Sequence, residues 1–123
     1  MYACARSAET VADGVTVIPC DVSDEADVAA MVERIAALES GLDLLVNNAG
    51  VLGPRTTLED VSLAQWRQVF AVNTDGPFLV TKACLPLLRA SRGVVVNVSS
   101  SVGRTGRGTW GPYACSKHAL EGL

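Results

Sequence analysis

The run Gly93-Val-Val-Val-Asn-Val-Ser-Ser-Ser101 leaves the chain little choice of local structure. Its β-branched residues favour an extended backbone and the apolar stretch is short. It closes on hydroxyls, so it predicts a buried strand over 93–99. Leu42-Asp-Leu-Leu-Val-Asn-Asn-Ala-Gly50 has the same form, closing on two amides and a glycine, and predicts a second strand over 43–48. Between the two, Leu63, Trp66, Val69 and Phe70, then Leu79, Val80, Ala83, Cys84, Leu87 and Leu88, recur at helical spacing behind Ser62, a good N-cap. Pro77 and Pro86 each remove a backbone donor, so this long element is expected to bend or unwind locally.

The N-terminal part continues the alternation. Tyr2-Ala-Cys-Ala-Arg6 and residues 15–20, Val-Thr-Val-Ile-Pro-Cys, read as strands, with a brief helical turn near Ala8 to Ala12 between them. Ser23 is the expected cap of a helix carrying Val28, Met31, Val32, Ile35 and Leu38, which Gly41 ends. Strands alternating with amphipathic helices define βαβ units and a parallel sheet. No linker, repeat or low-complexity tract interrupts the pattern, so residues 1–123 read as one α/β domain.

Chemistry concentrates near the C-terminal end. If Pro112 opens a helix, Tyr113 and Lys117 lie four residues apart on one face, and the cation can favour the phenolate. The spacing alone is common in helices and usually marks a solvated face. Ser100, thirteen residues before Tyr113, falls at the carboxyl end of the strand over 93–99. Ligands bind at that end in open α/β sheets.

Three segments taken together, Asn47-Asn48-Ala49-Gly50, Asn97-Val98-Ser99-Ser100 and Tyr113-x-x-x-Lys117, resemble the short-chain dehydrogenase/reductase family in order and distance. The resemblance covers essentially the whole chain, and Ser99 to Tyr113 resembles a bacterial branch of it. It implies a Rossmann-like, doubly wound parallel sheet. Members open with a strand and a glycine-rich turn that brings backbone to the cofactor pyrophosphate. No such turn is found here, and the chain is expected to be an internal fragment. The family's first strand would lie between the strand at 2–6 and that at 43–48. A gap is therefore expected between the pairs 2–6 with 15–20 and 43–48 with 93–99, unless another pairing closes it.

The resemblance also implies roles. Ser100, Tyr113 and Lys117 would be catalytic, and Asn73 would hold a water linked to Lys117 through a bent helix. Asp21 and Val22 would meet the adenine. Asn48, Ala49 and Gly50 would border the adenine ribose, and Tyr113 and Lys117 the nicotinamide end. Asn47 is expected to brace the sheet instead. Arg6 follows the first strand with no acidic residue before Glu9, and an arginine there accommodates a 2′-phosphate, so NADP(H) is preferred over NAD(H). The expected reaction is hydride transfer between NADP(H) and a small-molecule carbonyl or secondary alcohol. A free phenol titrates near ~10, so Tyr113 needs the neighbouring cation to exchange protons at neutral pH. A homodimer or homotetramer is implied by resemblance only. A non-catalytic nucleotide-binding protein and an epimerase or dehydratase relative remain open, the second disfavoured by the Asn-Asn-Ala-Gly run.

Other features are weaker. The net charge of -3 gives no basic surface for nucleic acid, no run reaches the length of a membrane span, and no cleavable signal opens the chain, which points to the cytoplasm. Cys4, Cys20, Cys84 and Cys115 lack metal spacing and read as buried free thiols; no metal site is expected, and His118 is not expected to take part in catalysis. Gly106-Arg-Gly-Thr-Trp-Gly111 satisfies a dinucleotide pattern, but its place between Ser100 and Tyr113 assigns it to a loop over the substrate. Arg104 and Arg107 read as solvated charge, with an anionic substrate as the alternative.

Overall fold

A computed structural model describes residues 1–7 and 13–123. The turn expected near 8–12 lies outside the described residues. The described residues contain four strands and four α-helices, in the order β1 (Tyr2–Ala5), β2 (Thr16–Pro19), α1 (Glu25–Ala36), β3 (Leu44–Asn47), α2 (Leu63–Phe70), α3 (Gly76–Ser91), β4 (Val94–Asn97) and α4 (Gly111–Glu121). β1 pairs with β2 in parallel, Ala3 opposite Val17, and β3 with β4, Val46 opposite Val96. The two pairs are not hydrogen-bonded to each other. This is the expected gap, and each pair keeps an unmatched inner edge.

The core lies where α1 and α3 cover one side of the strands. Ile18 and Cys20 at β2, Val28, Met31 and Ile35 from α1, and Val80, Cys84 and Leu88 from α3 form one buried cluster. Each apolar side chain of this size contributes roughly 1.5–3 kcal/mol on full burial. Leu45 and Val95 pack against the cluster, while their neighbours Leu44, Val46, Val94, Val96 and Val98 face the other way and are exposed. β4 is therefore not the fully buried strand expected. Successive side chains alternate across a sheet, and among the described residues helices cover only one face here.

Smaller corrections concern ends. Asp24, not Ser23, caps α1, its carboxylate accepting from the amides of Ala26 and Asp27 at 2.8 and 3.0 Å. Ser23 instead donates to Asp21 at 2.6 Å. α1 stops at Ala36, which leaves Leu38 exposed beyond it. Cys20 and Cys84 are buried, and burial pushes both thiols up to about 11. Cys4 and Cys115 are exposed, contrary to expectation: Cys4 lies on one of the unmatched strand pairs and Cys115 on the outward side of α4.

Ser62 caps α2 as expected, and Gln65 returns the bond to the Ser62 amide at 2.9 Å, completing a capping box. α2 and α3 are joined without interruption by a π-helical turn over Ala71–Asp75. The irregularity anticipated from the prolines thus falls just before Pro77, while α3 continues through Pro86. Such single π turns often occur at functional sites.

Candidate active site

Asn73 lies inside the π turn and is fully buried. Its Oδ1 accepts from the Val51 amide at 2.8 Å, and its Nδ2 donates to the Val51 carbonyl at 2.9 Å and to Ser116 Oγ at 3.0 Å. Ser116, also fully buried, donates a hydrogen bond to the Tyr113 carbonyl at 2.8 Å, and Thr74 Oγ1 donates to the Ser116 carbonyl at 3.3 Å. One amide thereby joins the segment after β3, the π turn and α4. Widening the helix at this point turns a polar side chain inward without breaking the rod.

Pro112 lies in the first turn of α4, as its fixed φ favours. Tyr113 and Lys117 share a face, with the ammonium 5.8 Å from the centre of the phenol ring. Lys117 is buried, donates to the Val98 carbonyl at 2.8 Å, and has its pKa lowered by desolvation. Asn47 is buried at the end of β3, where its amide donates to Asn97 Oδ1 at 2.8 Å and Thr81 Oγ1 at 3.0 Å, binding the two strands to α3.

Two cavities meet at Gly50 and Val51. The first, about 320 Å³, is lined by Asn48, Gly50, Val51, Leu52, Val98, Ser99, Tyr113 and Lys117. The second, about 330 Å³, has Arg6, Ser7, Asp21, Val22 and Ala49 on its walls. A methyl group on Gly50 would stand 3.4 Å from Asn73 Oδ1 and 3.7 Å from Lys117 Nζ, so glycine leaves room beside the ammonium where the cavities join. The hydroxyl and amide of Ser23, with a lesser contribution from Arg6, hold the Asp21 carboxyl below its usual range.

The structure thus gathers Tyr113, Lys117, Asn48 and Gly50 at one cavity and Arg6, Asp21, Val22 and Ala49 at the other. Asn73 braces both from behind. Ser100 is not part of the lining; its carbonyl accepts from Gly103 in a 3-10 turn over Ser101–Gly103. Ser99 takes that place, its Oγ buried and forming no well-aligned hydrogen bond among the described residues. His118 turns away and bonds the Ala114 carbonyl at 2.9 Å. Among the described residues no group of three His, Cys, Asp or Glu side chains gathers as a metal site would require. Ser116 was missed by sequence reasoning, although a serine within a helix beside apolar residues is a known signal of back-bonding to the preceding turn.

The lysine provides a test through pH. Its folded pKa lies below the ordinary 10.5, so the unfolded chain binds more protons in that interval and stability contributed at this site rises with pH. Lys117→Met removes the buried charge and this dependence. Denaturation midpoints should favour the variant most near neutral pH, and the difference should shrink as pH approaches 10.5. A constant difference would show that the ammonium is as well solvated folded as unfolded.

The model of the family described as short chain dehydrogenase matches residues 1–123, and the chain belongs to that family of oxidoreductases. It is 43% identical over 94 residues to the uncharacterized oxidoreductase YciK of Escherichia coli K12, covering 76% of this chain and 37% of that protein. To the L-fucose dehydrogenase of Bos taurus it is 37% identical over 118 residues, 96% of this chain and 44% of the relative. A short chain dehydrogenase of E. coli CFT073 solved with NADPH superposes with a TM-score of 0.80 at 39% identity, over 88% of this chain and 45% of the other. The parallel α/β arrangement is accordingly Rossmann-like, and the chain spans less than half the length of these proteins.

Among the described residues, no helix is long and apolar enough to cross a membrane.

Proposed function

We infer that the protein is an NADP(H)-dependent oxidoreductase interconverting a carbonyl and a secondary alcohol. The observation that carries this is the pair of joined cavities, one holding Tyr113 and Lys117 and the other Arg6 and Asp21. The residues suit a dinucleotide. The two cavities share Gly50 and Val51, and one offers an ammonium while the other has a guanidinium on its wall. Arg6 would bind a 2′-phosphate, Asp21 and Val22 the adenine, Asn48 to Gly50 the adjoining ribose, and Lys117 the nicotinamide ribose. The NADPH found in the E. coli CFT073 relative supports this assignment.

When bound, the reduced cofactor supplies a hydride to the carbonyl carbon. Tyr113 delivers the proton to the carbonyl oxygen, completing the alcohol, and the reverse reaction returns that proton to the phenolate. Ser100, which adjoins the cavity beside Ser99 without lining it here, would donate a hydrogen bond to the same oxygen as negative charge develops on it once its hydroxyl turns inward. Lys117 keeps a positive charge beside the phenol, and Asn73 fixes the backbone through which a water would relay protons. A homodimer or homotetramer packed through α3 and α4 belongs to this reading.

The test is consumption of NADPH with a panel of aldehydes and ketones, using protein expressed from the complete reading frame. Binding of NADPH without turnover of any carbonyl would favour a non-catalytic nucleotide-binding protein. Arg6→Asp should reverse the cofactor preference by removing the phosphate's partner and placing a carboxylate near the ribose. Dissociation constants for NADPH and NADH should show the ratio moving by about ten- to a hundredfold, the effect of one charge-assisted contact. An unchanged ratio would assign recognition of the phosphate elsewhere.

A further inference from the structure

The loop before α4 contains two guanidinium groups that the proposed hydride transfer does not use. Arg55 and Arg107 lie over the indole of Trp110, their Cζ atoms 4.7 and 4.9 Å from its centre. Trp110 in turn meets Tyr113 edge to face, with ring centres 5.9 Å apart. Two cations on one ring stand within about 10 Å of each other, one Debye length at 0.1 M salt, so they repel. A single arginine would provide the stacking contact, and nothing in that contact calls for the second.

Neither guanidinium has a carboxylate within salt-bridge distance among the described residues, although the same loop shows how one is held when its role is structural. Arg104 meets Glu121 at 3.3 Å. Of the two carboxylates that follow Arg55, Glu59 forms no salt bridge with it and Asp60 is otherwise engaged, accepting from Thr57 at 2.8 Å and Thr56 at 3.3 Å. The backbone also bends to place this cluster. Gly53 has φ +68°, where a Cβ would collide with Val69, and directs the chain into Pro54 and Arg55. Thr109 has φ 65°, a conformation that β-branched residues avoid, immediately before Trp110. Strain on one side and glycine on the other bring Arg55 across to Arg107 beside the phenol.

We propose that Arg55 and Arg107 form an oxyanion subsite on Trp110, so that the substrate is a carbonyl compound bearing a carboxylate or phosphate remote from the reacting carbon. The substrate anion offsets the repulsion between the two guanidinium groups, and their planar forks fix the end of the molecule that does not react. This rests on Tyr113 acting at the carbonyl, and the experiment separates the two claims.

One arm reads binding alone. In the complete protein, the Trp110 indole N–H resonance is followed while succinate or glycerol 3-phosphate is added without cofactor. A saturable shift is expected in the wild type, weakened about ten- to a hundredfold in Arg55→Ala and in Arg107→Ala. The second arm compares kcat/KM for 4-oxopentanoate against its methyl ester, and for dihydroxyacetone phosphate against dihydroxyacetone. The wild type should favour the charged member of the pair it accepts, and each variant should lose that preference while turning over the neutral member as before. Which pair responds distinguishes carboxylate from phosphate. A shift that does not saturate, or is unchanged in both variants, overturns the subsite. Saturable binding with no turnover of any carbonyl keeps the subsite and removes the hydride-transfer reading.

Discussion

Tyr113→Phe should lower turnover by about 10²–10⁴-fold, the usual loss when a positioned general acid is removed. The same substitution should leave the NADPH dissociation constant within a few-fold of the wild type. The prediction rests on the division of roles: the Tyr113 hydroxyl carries the proton, whereas the proposed cofactor contacts belong to Lys117, Asn48 and Gly50 in the same cavity and to Arg6, Asp21 and Ala49 in the second, which Tyr113 does not line. The aromatic contact with Trp110 needs the ring and not the hydroxyl, so phenylalanine preserves it and the loop before α4 stays in place. Comparison of kcat with cofactor affinity, both in the complete protein, is the decisive measurement. Turnover near that of the wild type would remove Tyr113 from the chemistry. A parallel loss of NADPH binding would make it a cofactor residue instead.

What the sequence disclosed, it disclosed through periodicity. The apolar runs at 42–48 and 93–99 were legible as strands because each closes on polar residues, whereas their pairing was implied by the family resemblance and is observed in parallel with Val46 opposite Val96. The face each strand presents was less legible. Val94, Val96 and Val98 are as apolar as Val95, yet only Val95 meets α3, since burial depends on which face another element covers. Ser23 and Asp24 are both good caps, and the choice between them turned on Asp21 taking the Ser23 hydroxyl, a bond made across a turn that no periodic pattern encodes.

The site divides in the same way. Tyr113 and Lys117 were readable because one helix carries both. Arg55 and Trp110 meet only through the folding of two separate loops, one steered by Gly53 and the other by Thr109. Ser116 could be suspected of bonding back to its own helix, but nothing in the sequence tied it to its buried partner, Asn73, on another element.

Asn73→Ala should cost the complete protein several kcal/mol, because it removes every bond this side chain makes. The Val51 amide and carbonyl and the Ser116 hydroxyl each lose a partner. Leaving a buried polar group unsatisfied costs about 1–3 kcal/mol. Ser116 keeps its bond to the Tyr113 carbonyl and loses only an incoming donor, so most of the cost falls on the Val51 amide and carbonyl, where half-burial allows water a partial replacement, and on the cavity left beside them. The thermal midpoint should fall by many degrees, and the activity remaining should be low because α4 is no longer fixed against the segment after β3.

Asn73→Asp separates the charge from the shape. It keeps an acceptor for the Val51 amide but turns lone pairs toward the Val51 carbonyl and Ser116, in a fully buried position. Burial raises the carboxyl pKa above its unfolded value, so the protonated form is the one that fits. The stability of this variant should therefore be highest below the unfolded carboxylate pKa and fall as pH rises through the folded one. Urea midpoints at pH 5 and pH 8 would show the aspartate variant approaching wild-type behaviour only at the lower value. Equal midpoints at both would mean that water reaches the cluster, and that Asn73 does not hold the π turn, the segment after β3 and α4 together.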